Sequence, residues 1–366
     1  MISSYKFDDI AYNITAKRTP CESDMEHYIG LEHLETGNLY VSNYGSKVPI
    51  KGDKLIMKTG DILLGKRNAY LRRAAIAPHD GLFSAHGMIL RPKIDVIDED
   101  FFPFFIASDY FFDEIIRISV GGLSPTINWK DLKELQFNLP SLEEQKALAN
   151  KLWAAYSLKE SYKRLIKATD EMVKSQFIEM FGQVSEESPC LNDIAHVYDG
   201  THKTPTYTNS GIPFISVENI SDVYGSKKYI SKDDYDLYKH KPEYGDIFMT
   251  RIGSIGKCAV YESHDPLAYY VSLALIKPNK DIVHPKFLKY YIESTDGTLE
   301  LKKRSLLKAF PMKINLGEIG KIKVIVPAKD KQLEFVKVAE QADKSKFELR
   351  KSIEAIDTVI KSLING

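Results

Sequence analysis

Read from either end, this 366-residue chain repeats itself. Phe7-Asp8-Asp9-Ile10-Ala11 returns as Leu191-Asn192-Asp193-Ile194-Ala195, and Lys17-Arg18-Thr19-Pro20 as His202-Lys203-Thr204-Pro205. Ile29-Gly30-Leu31-Glu32-His33-Leu34 is answered by Ile215-Ser216-Val217-Glu218-Asn219-Ile220, and Gly60-Asp61-Ile62-Leu63 by Gly245-Asp246-Ile247-Phe248. Asn138-Leu139-Pro140, with Gln145 following, is answered by Ile325-Val326-Pro327, with Gln332 following. The matches keep one order and one offset of about 185 residues, which generic turn chemistry does not produce. The chain is therefore expected to hold two copies of one fold, a number of domains that also suits its length.

Each copy begins with short apolar runs cut by Gly, Pro, Asn and Asp, such as Ile212-Pro213-Phe214-Ile215-Ser216-Val217 and Asp61 to Leu64, which read as strands. Helical stretches are interspersed, as at Phe101 to Phe112 and its counterpart His284 to Glu293. Each copy closes on a long segment without Gly or Pro. The first opens at Ser141-Leu142-Glu143-Glu144, a Ser-x-x-Glu capping box directly after Pro140, and stops at Gly182. Its apolar residues Leu148, Leu152, Ala155, Tyr162, Leu165, Ile166, Met172, Val173, Phe177 and Met180 recur at the spacing of a coiled-coil seam. The second runs from about Lys329 to Asn365, with Leu333, Val336, Phe347, Ile353, Ile356, Ile360 and Leu363 as its stripe. About 40 residues at 1.5 Å each make a rod of roughly 60 Å, and such a stripe must be buried. Each helix either packs on its own domain or pairs with the other, and antiparallel pairing explains why both are long and sit at equivalent places. The expected architecture is α+β: globular domains over 1–140 and 183–328, separated by long antiparallel coiled-coil helices over 141–182 and 329–366.

Composition narrows the function. Lys and Arg balance Asp and Glu at 50 each, so binding to a polyanion has to come from local basic patches. No apolar run is long enough to cross a bilayer, and Met1 to Tyr12 carries Asp8 and Asp9 and no apolar core, unlike a signal peptide. The three cysteines, Cys21, Cys190 and Cys258, are too scattered for a disulfide framework or a paired zinc site and fit a reducing cytoplasm. Gly256-Lys257 lacks the remainder of a Walker loop, because Arg251 stands in the place of its first glycine and Cys258 follows the lysine. No amino-methyltransferase, zinc-protease or nucleophile-elbow signature occurs, and His27, His33, His86 and His264 lack partners at ligand spacing.

Asp199-Gly200-Thr201-His202-Lys203-Thr204-Pro205, Gly211-Ile212-Pro213-Phe214-Ile215, Gly245-Asp246-Ile247, Thr250-Arg251-Ile252-Gly253-Ser254-Ile255-Gly256 and Leu139-Pro140-Ser141-Leu142-Glu143-Glu144-Gln145 together resemble the specificity subunit of type I restriction-modification systems. The resemblance covers nearly the whole chain and includes the order of its parts. It implies two target recognition domains, each reading one half of a bipartite, asymmetric double-stranded DNA site. It further implies helices that set the gap between half-sites and dock two methyltransferase subunits together with restriction subunits. No catalysis, metal or cofactor of its own is implied, since S-adenosylmethionine would belong to the methyltransferase partners. One departure is local: the second helix opens with Lys329-Asp330-Lys331-Gln332, without the leucine and paired glutamates of the first, so docking at its start need not match.

Affinity for DNA comes from cations on phosphates, and specificity from side chains at base edges. Lys66, Arg67, Asn68, Tyr70, Arg72 and Arg73 form the densest candidate cluster, with Arg72 and Arg73 expected on phosphates. A solvated charged loop is the plain alternative. In the second copy the candidates are Thr201, His202, Lys203, Thr204 and Tyr207, then Arg251, Ser254 and Lys257, and the run Lys302, Lys303 and Arg304. Gly253 and Gly256 would let backbone amides approach a phosphate, or simply make a hairpin turn. Two other functions remain open: a non-catalytic coiled-coil adaptor, which would show no salt-dependent DNA binding, and a stand-alone nuclease, which would cleave with metal.

Overall fold

The structure, a computed structural model, describes residues 2–306 and 311–365; Met1, positions 307–310 and Gly366, which fall in the expected segments 1–140, 183–328 and 329–366, lie outside the described residues. The chain divides into two units, Met1–Lys163 with Arg350–Gly366, and Arg164–Leu349. Each is α+β.

The first unit is built on an antiparallel sheet of β1 (Ala11–Ile14), β2 (Ile62–Leu64), β3 (Ala74–Ile76) and β4 (Met88–Pro92), in the order β1-β4-β2-β3. The second unit repeats it with β5 (Ala195–Asp199), β6 (Ile247–Thr250), β7 (Cys258–Val260) and β8 (Leu273–Pro278), in the order β5-β8-β6-β7. The central strands are covered on both faces. Ile62 and Leu64 enter one apolar cluster and Leu63 another; Ile247 and Met249 divide from Phe248 in the same way, as the two-residue period of a strand requires. A smaller sheet adjoins each. Only its parallel pair is common to both copies: Tyr28–Ile29 beside Leu82 and Phe83, and Phe214 and Ile215 beside Ala268–Tyr269. Beyond that pair the copies diverge, Gly81–Phe83 pairing onward to Lys54–Met57 and Ile212–Ile215 to Tyr229–Ile230.

The repeated Gly-Asp has a structural cause. Gly60 and Gly245 turn into the central strand at φ +88° and +86°, a left-handed conformation that disfavours a side chain. The following Asp61 is buried, accepts from the Lys58 amide at 2.8 Å, and is bridged by Arg91 Nε and Nη2 at 2.8 and 3.0 Å. Asp246 is buried likewise, with the Glu243 amide at 2.8 Å and Lys277 Nζ at 2.7 Å. An isolated buried carboxylate is costly, so each copy supplies a cation from the neighbouring strand.

Phe101 to Phe112, read as one helical stretch, is broken in two. Helices Phe102–Ala107 and Asp109–Arg117 meet at Ser108, whose Oγ accepts from the Phe111 amide at 3.0 Å and caps the second. Ser294 makes the same break between Pro285–Glu293 and Thr295–Arg304.

The long helices are α1 (Leu142–Phe181) and α2 (Lys329–Asn365). Ser141 caps α1 as its sequence requires: the Ser141 amide donates to Glu144 Oε2 at 2.9 Å, and the Glu144 amide to Ser141 Oγ at 3.3 Å. Gly182 ends it at φ +70°. Gln145 then ties α1 to its own unit. Its Oε1 accepts from the Asp98 amide at 2.8 Å, and its Nε2 donates to the Val96 and Pro140 carbonyls at 3.2 and 2.9 Å. Gln332 does the same for α2 with the His284 amide at 2.7 Å and the carbonyls of Ile282 and Pro327 at 3.1 and 2.8 Å.

In each unit a stretch of α1 packs with a stretch of α2, and both lie on that unit's core. In the first, Ile360, Leu363 and Ile364 join the cluster of Leu152 and Tyr156, and Lys159 Nζ meets Asp357 Oδ1 at 2.5 Å. In the second, Phe335 packs against Phe177 and Phe181 at ring distances of 5.1 and 5.7 Å, and Lys346 Nζ meets Asp170 Oδ1 at 2.6 Å. There the numbering rises along one helix as it falls along the other, so the pair is antiparallel. The expected stripe is partly out of phase. Leu165, Met172, Leu333 and Phe347 are exposed, while Gln145, Ala149, Tyr156 and Lys159 of α1, and Gln332, Phe335, Ala339 and Ala342 of α2, are buried. The seam keeps the heptad spacing but accepts polar residues that bond across it.

Candidate nucleic-acid interface

Both units hold a cleft at the same place on the repeated sheet. In the first, a cavity of about 250 Å³ lies beyond the end of β1, between Asn13, Thr15, Lys17, Lys66 and the Asn128-Trp129 turn. In the second, a cavity of about 530 Å³ lies beyond the end of β5, between Tyr198, Asp199, His202, Tyr238, His240 and Leu316. Strand register makes Thr15 the counterpart of Asp199, and the central strands make Lys66 the counterpart of Arg251. The backbone agrees: the Ile127 amide donates to the Lys66 carbonyl, and the Ile314 amide to the Arg251 carbonyl, each at 3.0 Å.

The basic cluster Lys66 to Arg73 is divided by the fold. Lys66 lines the cleft, and burial, then Lys17 and Arg67, push its pKa below the usual lysine value. Arg67 is exposed beside it. Asn68 adopts φ +53°, tolerable for Asn, and its Oδ1 accepts from Ser124 Oγ at 2.9 Å, so it shapes the turn. Tyr70 stands exposed on the same turn. Arg72 and Arg73 serve the unit itself. Arg72, at the unusual φ of +46°, donates to Asp109 Oδ1 at 2.8 Å and also to Asp113; Arg73 Nη1 donates to the Leu31 carbonyl at 2.9 Å. Their expected phosphate contacts therefore compete with bonds already made.

In the second unit Thr201, His202, Lys203 and Thr204 line the cleft together. Thr201 Oγ1 donates to the Lys203 carbonyl at 3.1 Å, and His202 Nε2 lies 3.1 Å from Asp199 Oδ2. Tyr207 is exposed outside the cleft, edge-on to Phe214 at 5.7 Å with Lys228 Nζ 5.9 Å from its ring centre. Arg251 is an internal partner: Nη1 pairs with Asp199 Oδ1 and Nε donates to the Ile314 carbonyl at 3.4 Å. The glycine loop is a hairpin and not an amide nest. The Gly253 amide donates to the Met312 carbonyl at 2.8 Å and the Gly256 amide to the Thr250 carbonyl at 2.9 Å, while the Ser254 carbonyl accepts from Thr250 Oγ1. Lys257 projects exposed from this hairpin. Lys302, Lys303 and Arg304 end helix Thr295–Arg304 and are not among the residues lining the cleft. Lys303 pairs with Glu300 at 2.7 Å, Arg304 lies 3.7 Å from Glu300 and 3.9 Å from Glu318, and Lys302 is exposed.

Sequence reasoning missed several cleft residues. Lys17 was legible only as part of a repeat. His86 is exposed nearby, its pKa lowered by burial and by the charges of Arg67, Lys66 and Lys54. Tyr198 and His240 stack at 3.6 Å on the wall of the second cleft, where Lys239 and Tyr238 also lie. The run Tyr238-Lys239-His240-Lys241 was the available signal. Among the described residues no cluster of His, Cys, Asp or Glu could hold a metal ion, and no helix is long and apolar enough to cross a membrane.

A frame made twice, with a polar cleft in each copy and long helices shared between units, defines a class of two-headed recognition proteins. The type I restriction modification DNA specificity domain matches residues 4–168 and 186–356, and the chain belongs to that family. The MjaVIII type I restriction enzyme specificity subunit of Methanocaldococcus jannaschii is 29% identical over 154 residues, 40% of this chain and 35% of that protein. The EcoDI specificity subunit of Escherichia coli is 26% identical over 149 residues, 40% of this chain and 33% of that one. These alignments span well under half the length of the curated relatives. The fold as a whole is similar to the crystal structure of the type I S subunit from M. genitalium, with a TM-score of 0.58 at 15% identity, covering 100% of this chain and 95% of that one.

Proposed function

We propose that this chain is the non-catalytic DNA-reading subunit of a type I restriction-modification complex. Two heads, residues 1–140 and 183–328, each read one half of an interrupted, asymmetric double-stranded site. The helical segments 141–182 and 329–366 dock two methyltransferase subunits and, with them, restriction subunits. One observation carries this reading: the same sheet is built twice, and each copy opens a cleft at the same place with different side chains around it. A repeated frame with unlike clefts suits two unlike half-sites.

On this reading Lys66, Arg67 and Tyr70 face DNA from the first head, and Thr201, His202, Lys203 and Thr204 from the second, with Tyr207, Lys257 and Lys302 as outlying contacts. Asn68, Arg72, Arg73, Arg251, Ser254, Lys303 and Arg304 hold the loops that present them. The chain carries no cofactor, S-adenosylmethionine being bound by the methyltransferase partners, and it acts in the cytoplasm. The test is methyl transfer from labelled S-adenosylmethionine, followed by mapping of methylated adenines. The chain alone should be inactive, and the chain with methyltransferase subunits should mark one interrupted motif. Methylation or metal-dependent cleavage by the pure chain would overturn the proposal, and absence of salt-dependent DNA binding would favour an adaptor.

A further inference from the structure

The two clefts differ most at one pair of equivalent positions. In the second unit the cation Arg251 is neutralised from within by Asp199, at the end of β5. In the first unit the equivalent cation is Lys66, and the residue at the equivalent strand end is Thr15, which carries no charge. The groups nearest Lys66 in charge are themselves cations, Lys17 and Arg67, and His86 feels the same field. Among the described residues no carboxylate pairs with Lys66, Lys17 or Arg67. Lys66 is half-buried and lines a cavity of about 250 Å³ together with Lys17. A partly desolvated ammonium facing other cations is electrostatically unfavourable until an anion joins it.

Resting on the DNA-reading function above, we propose that the first-head cleft is a seat for a backbone phosphate, held by Lys66 and Lys17, whereas Asp199 fills the same place in the second head. The heads are then electrostatically unequal. At this position the first head gains a counterion-releasing contact that the second lacks, while the second cleft binds through Lys203 and Lys239 together with its hydroxyl, imidazole and aromatic groups. A phosphate fits because its charge offsets two cations at once and its oxygens accept from both ammonium groups.

The experiment is binding of a random-sequence DNA duplex to the full chain across a potassium chloride series, read by fluorescence anisotropy. The variant Lys17→Gln with Lys66→Gln should lower the slope of log affinity against log salt by about 0.9 per lost contact, close to two in all. Neither lysine has an internal acidic partner, so the fold should hold, which thermal melting checks. Asp199→Asn is the opposite perturbation. It frees Arg251 as a cation in the second head and should steepen the slope by up to about one. An unchanged slope in the lysine variant would overturn the phosphate seat. An unchanged or shallower slope in Asp199→Asn would overturn the masking of the second head. A parent chain with no salt-dependent binding would instead sink the DNA-reading function itself.

Discussion

Gln145 makes a sharp test of how the heads are fixed to the helices. Its side chain is 1% exposed and makes three hydrogen bonds, to the Asp98 amide and to the Val96 and Pro140 carbonyls. Gln145→Met keeps the length and most of the volume while removing every one of these bonds. At about 1 kcal/mol net for each neutral bond, the loss is about 3 kcal/mol, and stranded partners that water cannot reach would add to it. With a urea dependence of about 2 kcal/mol per molar, the midpoint should fall by roughly 1.5 M. Both tryptophans, Trp129 and Trp153, belong to the first unit, so fluorescence excited selectively at tryptophan reports that unit alone. Gln145→Glu should be worse than Met at neutral pH, because it turns an acceptor of full charge toward two carbonyls. A midpoint shift for Gln145→Met corresponding to less than about 1 kcal/mol would refute the clamp and make the glutamine a mere space-filler.

Three further expectations follow from the same geometry. Alanine double-mutant cycles on Lys159 and Asp357 should return a coupling near 1 kcal/mol, above an ordinary surface pair because Lys159 is 9% exposed in its side chain and below a fully buried one because Asp357 is 42% exposed; a coupling indistinguishable from zero in urea denaturation would remove it as a determinant of helix register. Arg72→Ala should lower the stability of the first unit by about 1 kcal/mol through the lost ion pairs, alanine keeping the Cβ and hence the left-handed backbone cost, and should leave the salt slope of DNA binding alone; a shallower slope would return it to the interface. His86 has a lowered pKa, so the folded chain binds its proton less readily than the unfolded chain does, and stability should fall as pH drops below about 6.5. A phosphate beside Lys66 and Arg67 would favour the charged imidazole, so DNA affinity should rise over the same fall in pH, and His86→Gln should reduce that rise in anisotropy titrations.

The duplicated frame was legible because its signals are local. Gly-Asp before a strand and Pro followed five residues later by Gln each do the same physical work in both copies, and Ser-x-x-Glu marks the start of the first long helix. The helix seam was legible in period but not in phase. A search for apolar residues admits Leu165, Met172, Leu333 and Phe347, all exposed, and passes over Lys159, Asp170, Lys346 and Asp357 because they are charged. The information was nonetheless present: Lys159 and Lys346, Asp170 and Asp357, and Gln145 and Gln332 are separated by one constant spacing. The division of the basic cluster was not legible at all. Lys66 and Arg72 lie six residues apart, and only the fold decides that Asp109 and Asp113 reach one and, among the described residues, no carboxylate pairs with the other.

This division bears on how one head can be exchanged for another. A junction at residue 140 looks natural, since the capped helix begins there, yet the first head's core continues past it. Tyr156 Oη accepts from the Leu39 amide at 2.9 Å, Trp153 Nε1 donates to the Asp100 carbonyl at 3.0 Å, and Gln145 holds the Asp98 amide. Ile360, Leu363 and Ile364, at the far end of the sequence, complete the same cluster. A chimera that imports only residues 1–140 from a relative sets a foreign head on these native contacts. Losing the equivalent of the Tyr156 and Trp153 bonds alone would cost about 2 kcal/mol. A chimera that imports 1–163 together with 350–366 carries the whole unit. The second chimera should therefore melt near the parent and change one half-site of the methylated motif, whereas the first should melt lower and methylate weakly. If both melted alike, the contacts from Leu39, Asp98 and Asp100 to the helix would be energetically idle, and residue 140 would be the true boundary of the module.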